Sequence, residues 1–551
     1  MPQTEKIWLK SYPSYVKYHL DYPRKTLGEL LDDAVPKRPD TVAMIFENQK
    51  TTYREFGDQV SRLATALKNM GVRKGERVGL MGPNCPQWVV SFYAILKVGA
   101  IAVQTNPMYL EREIAYQMND SGATTVIVWE MLYPRVKSIL NETSLQRVIA
   151  FNFLAPVAST PDLYSYDELI KTEPAPLSVA MNPEEDLAVL QYTGGTTGRS
   201  KGVMLTHQNL VCNALQTMAW SFNLNYGEER ILTLLPVFHV YGMTNCVNYA
   251  VATAATQILL PRFEIDKVLE AINKYRPTLF PGAPTMFMAI NNHPRVEEYW
   301  ESLAAIKVCN SGSAPLPLEV AQRFAKVTQG EGNLVEGYGL SEASPVTHSN
   351  PLDRPTREGS IGLPFPDTDC VIMDLETGTK VLPVGEIGEL CIKGPQVMKG
   401  YWHKPEETEA TLRDGWLHTG DIARMDEDGY FYIIDRKKDM IIAGGFNIYP
   451  RDIEEILYEH PKVKEVVVAG VPDQYRGETT KAYIVLHSDV EATEQEFITF
   501  CRGKMAAFKI PHLVEFRDEL PRTIVGKVLR RQLVEEEKAK LQTAAASQCS
   551  N

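Results

Sequence analysis

Cysteine pairs are missing from this chain. Its eight cysteines, at positions 85, 212, 246, 309, 370, 391, 501 and 549, are scattered over 551 residues without a C-x-x-C spacing. That pattern builds neither a zinc site nor a disulfide framework, and it predicts reduced thiols in a cytoplasmic protein. Excess positive charge is missing too. Lys and Arg total 57 against 69 Asp and Glu, a formal net charge of −12. This predicts no nucleic-acid partner, while small anions need only local positive charge. No apolar run reaches membrane length: the longest, Val89 to Val103, is broken by Lys97. The opening MPQTEKIWLKSYPSY has no apolar signal core, and Cys549 stands one residue too late for a prenylation box. There is no solenoid repeat. No integral membrane segment is therefore expected; a peripheral membrane contact and a homodimer are left open.

What is present is ordinary globular composition, 44% apolar and 23% charged, at a length that calls for two or more domains. Short apolar runs alternate with amphipathic, helix-length segments, the pattern of an α/β fold. From Glu264, the residues Ile265, Val268, Leu269, Ile272 and Tyr275 share one helical face, Pro277 stops the helix, and Thr278 to Phe280 reads as a strand. Leu187 to Tyr192 also reads as a strand. Beyond the charged run Arg436 to Asp439 the pattern changes: a helix over Pro450 to His460, strands near Val463 to Ala469 and Ala482 to His487, a helix near Thr493 to Met505, and a terminal helix fraying into a tail. The expectation is a small α+β domain of its own.

The segment from Tyr192 to Gly202 carries the strongest chemistry. Gly194, Gly195 and Gly198 let the backbone turn tightly and present N–H groups to phosphate oxygens; Thr193, Thr196 and Thr197 add hydroxyls, and Lys201 adds charge. It is not a Walker loop, because Lys201 is neither preceded by Gly nor followed by Ser or Thr. This segment resembles the phosphate loop of the adenylate-forming superfamily of acyl-CoA synthetases, luciferases and adenylation domains. Its YTGGTTG form is similar to the fatty acyl-CoA synthetase branch. Ser200 stands where the family usually has Pro, which removes a rigid turn residue.

The resemblance recurs in order along the chain. Gly312, Ser313, Ala314 and Pro315 resemble the adenine-pocket segment. Gly337, Tyr338, Gly339, Ser341 and Glu342 resemble the next motif, with Tyr338 expected to stack on adenine and Glu342, with Thr193, expected to hold Mg²⁺. The stretch ending in Asp421 implies ribose recognition, which suits an acceptor-only carboxylate. Arg436 matches the family's basic residue beside the hinge, and Lys438 the hinge itself. Gly444, Gly445 and Phe446 resemble the loop lining the pantetheine tunnel, and Lys527 the catalytic lysine. His239, in an apolar run, reads either as a packed core residue or as a group positioning the carboxylate. Around it the resemblance implies an acyl pocket of His239, Val240, Tyr241, Met243, Gly282 and Ala283, with Met243 at the tunnel mouth.

The implied architecture is a large multi-subdomain N-terminal α/β domain (1–435), a hinge (436–439) and a small mobile C-terminal α+β lid domain (440–551). The implied activity is attack of a carboxylate on ATP to give acyl-AMP and pyrophosphate, then transfer to coenzyme A. Long-chain fatty acids are favoured; medium-chain or aryl acids, a carrier-protein acceptor, and a non-catalytic nucleotide- or lipid-binding relative are the alternatives. The last would be expected to lack Glu342, Asp421 or Lys527, and all three are present.

Overall fold

A computed structural model describes residues 6–193, 200–330, 332, 334–443, 446–473, 477–488, 490–502, 504–505, 507–523 and 527–548. Two large sheets form the body. One has eight strands; its parallel centre is Leu187–Thr193, Ile101–Thr105, Arg77–Met81, Thr125–Trp129 and Arg147–Phe151, with the edge closed by Lys201–Thr206 and Gly400–Tyr401. The second has nine strands and includes the parallel run Arg230–Thr233, Leu279–Gly282, Val308–Ser311 and Leu334–Gly339.

The apolar run Val89 to Val103 shows how such sheets are fed. It divides into the helix Pro86–Lys97, a turn at Gly99 with φ +79°, and the strand Ile101–Thr105. Trp88 to Leu96 are all buried, because a helix covering a parallel sheet in a large domain meets protein on most of its faces. The expected helix after Glu264 is Ile265–Tyr275, capped by Arg276 in the left-handed region at φ 48°; the following strand starts one residue late, at Leu279.

A third, antiparallel sheet contains Asp369–Met373, Gly388–Lys393, Trp416–Met425 and Phe431–Arg436. Residues 437–440 lead from its last strand directly into a fourth sheet, built from Ile441–Ala443, Phe446–Ile448, Val463–Asp473, Gly477–Leu486 and Leu513–Phe516. This smaller C-terminal unit has its own core, from Ile441, Ile453 and Leu457 through Ile484 to Phe497 and Val514. Its strands are longer than the sequence pattern suggests, since Val463–Asp473 and Gly477–Leu486 pair from Val463↔Leu486 to Asp473↔Gly477. Its second helix is shorter than expected, Glu494–Cys501, ending where Arg502 turns extended. The terminal helix runs Arg530–Gln548.

Candidate active site

The body and the C-terminal unit face each other across a cleft of about 2280 Å³. Its walls carry Thr193, Lys201, His239, Glu342, Asp421, Arg436 and Lys527. These residues span more than 330 positions of sequence; the sheets bring them together.

Thr193 and Lys201 are paired in register at the ends of two antiparallel strands. Gly194, Gly195, Thr196, Thr197 and Gly198 lie outside the described residues, as do Gly444 and Gly445 and the side chain of Phe446. Both stems are tied down. The Ser200 hydroxyl donates to the Thr193 carbonyl at 2.6 Å, the Tyr116 hydroxyl donates to the Ser200 carbonyl at 2.8 Å, and the Tyr192 hydroxyl donates to Asp120 at 2.6 Å.

Glu342 sits in the single turn Ser341–Ala343 that follows the strand Leu334–Gly339. Burial pushes its pKa up; the Tyr401 hydroxyl, donating to Oε1 at 2.7 Å, and the charge of Lys201 pull the other way. A desolvated carboxylate with so little compensation is suited to a cation. Tyr401 also lies 5.0 Å beneath the Lys201 ammonium, so one ring contacts both Glu342 and Lys201. Sequence reading missed Tyr401. An aromatic residue on a two-residue edge strand carries no local sign of such a role.

Asp421 pairs in register with Arg436 on neighbouring strands, and its Oδ1 lies 3.7 Å from the guanidinium. Burial raises its pKa, opposed by Arg436 and by the Tyr338 hydroxyl, which donates to Oδ2 at 2.5 Å. Tyr338 is thus anchored through its oxygen, with its ring edge-on to His348. Nearby, Gly312, Ser313, Ala314 and Pro315 line the cleft with Gly337 and Gly339. Ser313 is left-handed at φ 71°, and its buried hydroxyl, like that of Ser311, has no hydrogen-bond partner among the described residues. Gly312 permits a close approach: a Cβ there would stand 3.0 Å from the Tyr241 ring.

His239, Val240 and Tyr241 line the cleft as well. Burial lowers the His239 pKa to about 4, so the ring is neutral near pH 7. Its Nδ1 accepts the Tyr241 N–H at 3.3 Å, which leaves Nε2 as the donor. Met243 is not at a tunnel mouth, contrary to expectation. It is fully buried, and its Sδ accepts the Gln104 amide at 3.2 Å. Gly282 and Ala283 are buried behind the cleft wall. Lys438 has its pKa lowered by burial, then by Arg436. Lys527 is paired back to Thr523: its N–H donates to Thr523 Oγ1 at 3.2 Å and its carbonyl accepts the Thr523 N–H at 2.8 Å.

Two carboxylates, Glu342 and Asp421, and three cationic side chains, Lys201, Arg436 and Lys527, around one α/β cleft define an enzyme that handles a phosphorylated nucleotide. The chain belongs to the AMP-binding enzyme family, which it matches over residues 31–402, with the AMP-binding enzyme C-terminal domain over 452–527. The long-chain-fatty-acid–CoA ligase of Bacillus subtilis (strain 168) is 48% identical over 557 residues, covering 97% of this chain and 99% of its own. An anthranilate CoA ligase in complex with anthranoyl-AMP superposes with a TM-score of 0.87 at 29% identity, over 94% of this chain and 99% of that one. ATP-bound MatB from Rhodopseudomonas palustris gives 0.85 at 30% identity, over 93% and 98%. Among the described residues no helix is long and apolar enough to cross a membrane.

Proposed function

We propose that this enzyme couples ATP cleavage to the activation of a long-chain fatty acid and passes the acyl group to coenzyme A. A carboxylate oxygen attacks the α-phosphorus of ATP, the bond to pyrophosphate breaks, and acyl-AMP forms. The CoA sulfur then attacks the acyl carbon and AMP leaves. The observation that carries the reading is the convergence of Thr193, Lys201, His239, Glu342, Asp421 and Lys527 on one cleft. The name and near-complete coverage of the Bacillus subtilis relative support the choice of acid.

The first step brings an anion to a polyanion, a repulsion of about 4 kcal/mol per pair of unit charges at 4 Å and an effective dielectric near 20. Lys201 and Lys527 oppose it with fixed charge in a low-dielectric cleft. Neutral His239 orients the fatty carboxylate through Nε2–H without needing to ionise. Asp421 and Arg436 hold the ribose, and Ser313, whose hydroxyl has no partner among the described residues, lines the cleft on the side of the base.

Glu342 fits Mg²⁺: it is a hard oxygen donor, desolvated, and the described residues contain no group of three acidic, His or Cys side chains that would make an all-protein cage. Glu342 and the Thr193 hydroxyl would hold the ion, with phosphate and water oxygens completing its shell. It would supply charge neutralisation.

In this reading, residues 1–435 are the body and 440–551 the lid. Rotation about Lys438 withdraws Lys527 after adenylation, and Gly444, Gly445 and Phe446 then border the pantetheine. The seven described cysteines, all buried and free, suit a reducing cytoplasm. The test is incubation with ATP, Mg²⁺, CoA and a graded series of fatty and aromatic acids, followed by mass spectrometry of the thioesters. Long-chain acyl-CoA should dominate kcat/KM; an aromatic thioester as the preferred product would overturn the lipid reading, and acyl-AMP without CoA dependence would favour a carrier acceptor.

A further inference from the structure

Arg530 opens the terminal helix, three residues beyond Lys527. Its guanidinium is enclosed by three carboxylates: Glu454 at 2.6 Å, Asp439 at 3.2 Å and Asp435 at 3.8 Å. These partners differ in where they belong. Glu454 lies on the helix Pro450–Tyr458 of the C-terminal unit and also accepts the Val468 N–H at 2.7 Å. Asp439 follows Lys438. Asp435 precedes it, on the last strand of the third sheet, and is a residue of the body.

Asp435 is 5% exposed, and it accepts the N–H groups of Arg436 at 2.7 Å and of Arg451 at 3.1 Å. Burial lifts its pKa to about 6, with the Arg530 charge the largest opposing influence. The Arg451 guanidinium adds a hydrogen bond to the Ile433 carbonyl at 2.7 Å. A turn of the C-terminal unit about Lys438 would carry Glu454, Asp439, Arg451 and Arg530 along together, and would break the contacts with Asp435 and Ile433. Arg530, three residues after Lys527, is therefore paired across the hinge in the arrangement that places Lys527 in the cleft.

We infer that Arg530 is a positioning residue for the first half-reaction: by bridging Asp435 and Asp439 on either side of Lys438, it holds Lys527 over the nucleotide cleft. Arg530 touches no reacting group. It acts through Lys527, and its pairing with Asp435 must be given up before the thiol step. This rests on the two-step reading above.

The test separates the half-reactions in Asp435→Asn, which keeps shape and removes the cross-hinge charge, and in Arg530→Met. Single-turnover pyrophosphate release from ATP and acid is measured beside thioester formation from supplied acyl-adenylate and CoA, with thermal melting of each variant. Both variants should slow pyrophosphate release by about tenfold, the scale of one weakened ion pair, and leave thioester formation within about twofold of wild type. The double variant should be no slower than the slower single one, because the two residues act as a unit. Parallel loss in both half-reactions with a lowered melting temperature would overturn the inference, as would unchanged pyrophosphate release in Asp435→Asn. A wild-type protein that releases no pyrophosphate with any acid would overturn the parent reading and this one with it; a failure confined to the variants touches this one alone.

Discussion

At the scale of single residues, Ser200 replaces the family's proline with a different kind of restraint. A proline ring limits the backbone covalently. Here the Ser200 hydroxyl ties the two ends of the segment together by donating to the Thr193 carbonyl, and Tyr116 holds the Ser200 carbonyl from the helix Glu111–Ser121. A neutral hydrogen bond of this kind contributes about 0.5–1.5 kcal/mol. Ser200→Ala should therefore raise KM for ATP by roughly twofold to tenfold, while Ser200→Pro restores it; initial rates against ATP concentration distinguish the two. Tyr401 acts on charge. Tyr401→Phe removes the donor from Glu342, raises the carboxyl pKa further and should increase the Mg²⁺ concentration needed for half-maximal rate, with excess Mg²⁺ recovering most of kcat. A loss of rate insensitive to Mg²⁺ would argue against that role.

At the scale of elements, the strand Leu334–Gly339 and the turn after it decide where Glu342 points. Gly339 passes so close to its antiparallel neighbour that an added Cβ would lie 2.2 Å from the Pro345 carbonyl oxygen. Backbone cannot yield as a side-chain tip can. Gly339→Ala should thus lower the melting temperature by several degrees, the effect of about 1–3 kcal/mol of overpacking in a large domain, and reduce activity with it. Calorimetry with activity on the same sample checks this; an unshifted melting curve would refute it. The same close contact explains a limit of sequence reading. The helix Ile265–Tyr275 was legible because Val268, Leu269 and Ile272 recur at helical spacing and are indeed buried. The contact at Gly339 was not, because no local period marks where another strand passes.

At the scale of the whole molecule, two interior histidines set an acid limit. His207 and His348 are fully buried, and burial lowers their pKa values to about 4 and about 3. The folded state then binds fewer protons than the unfolded chain, where histidine titrates near 6.5. Their contribution to stability is complete above pH 6.5 and is lost as pH falls toward those lowered values. At pH 5 the loss is about 2 kcal/mol for each. The melting temperature should decline between pH 6.5 and 5, and His207→Gln should flatten that slope even if it lowers stability at pH 7. His239 faces the cleft as a neutral donor for the same reason, so kcat should show no ionisation from it between pH 6 and 8.

Sequence alone determined the identities that depend on short-range order: the glycines and threonines between Tyr192 and Gly202, the Glu342, Asp421 and Lys527 motifs, and the change of pattern after Arg436. A motif is a local object, and its composition survives without knowledge of what surrounds it. Tertiary structure decided which groups meet. Tyr401 reaches Glu342 across 59 positions, and Arg530 reaches Glu454 across 76. It also decided that Met243 lies in the core, and it set the charge state of His239. Contact between distant segments and loss of water are properties of packing, and neither is written in the spacing of residues along a strand or helix.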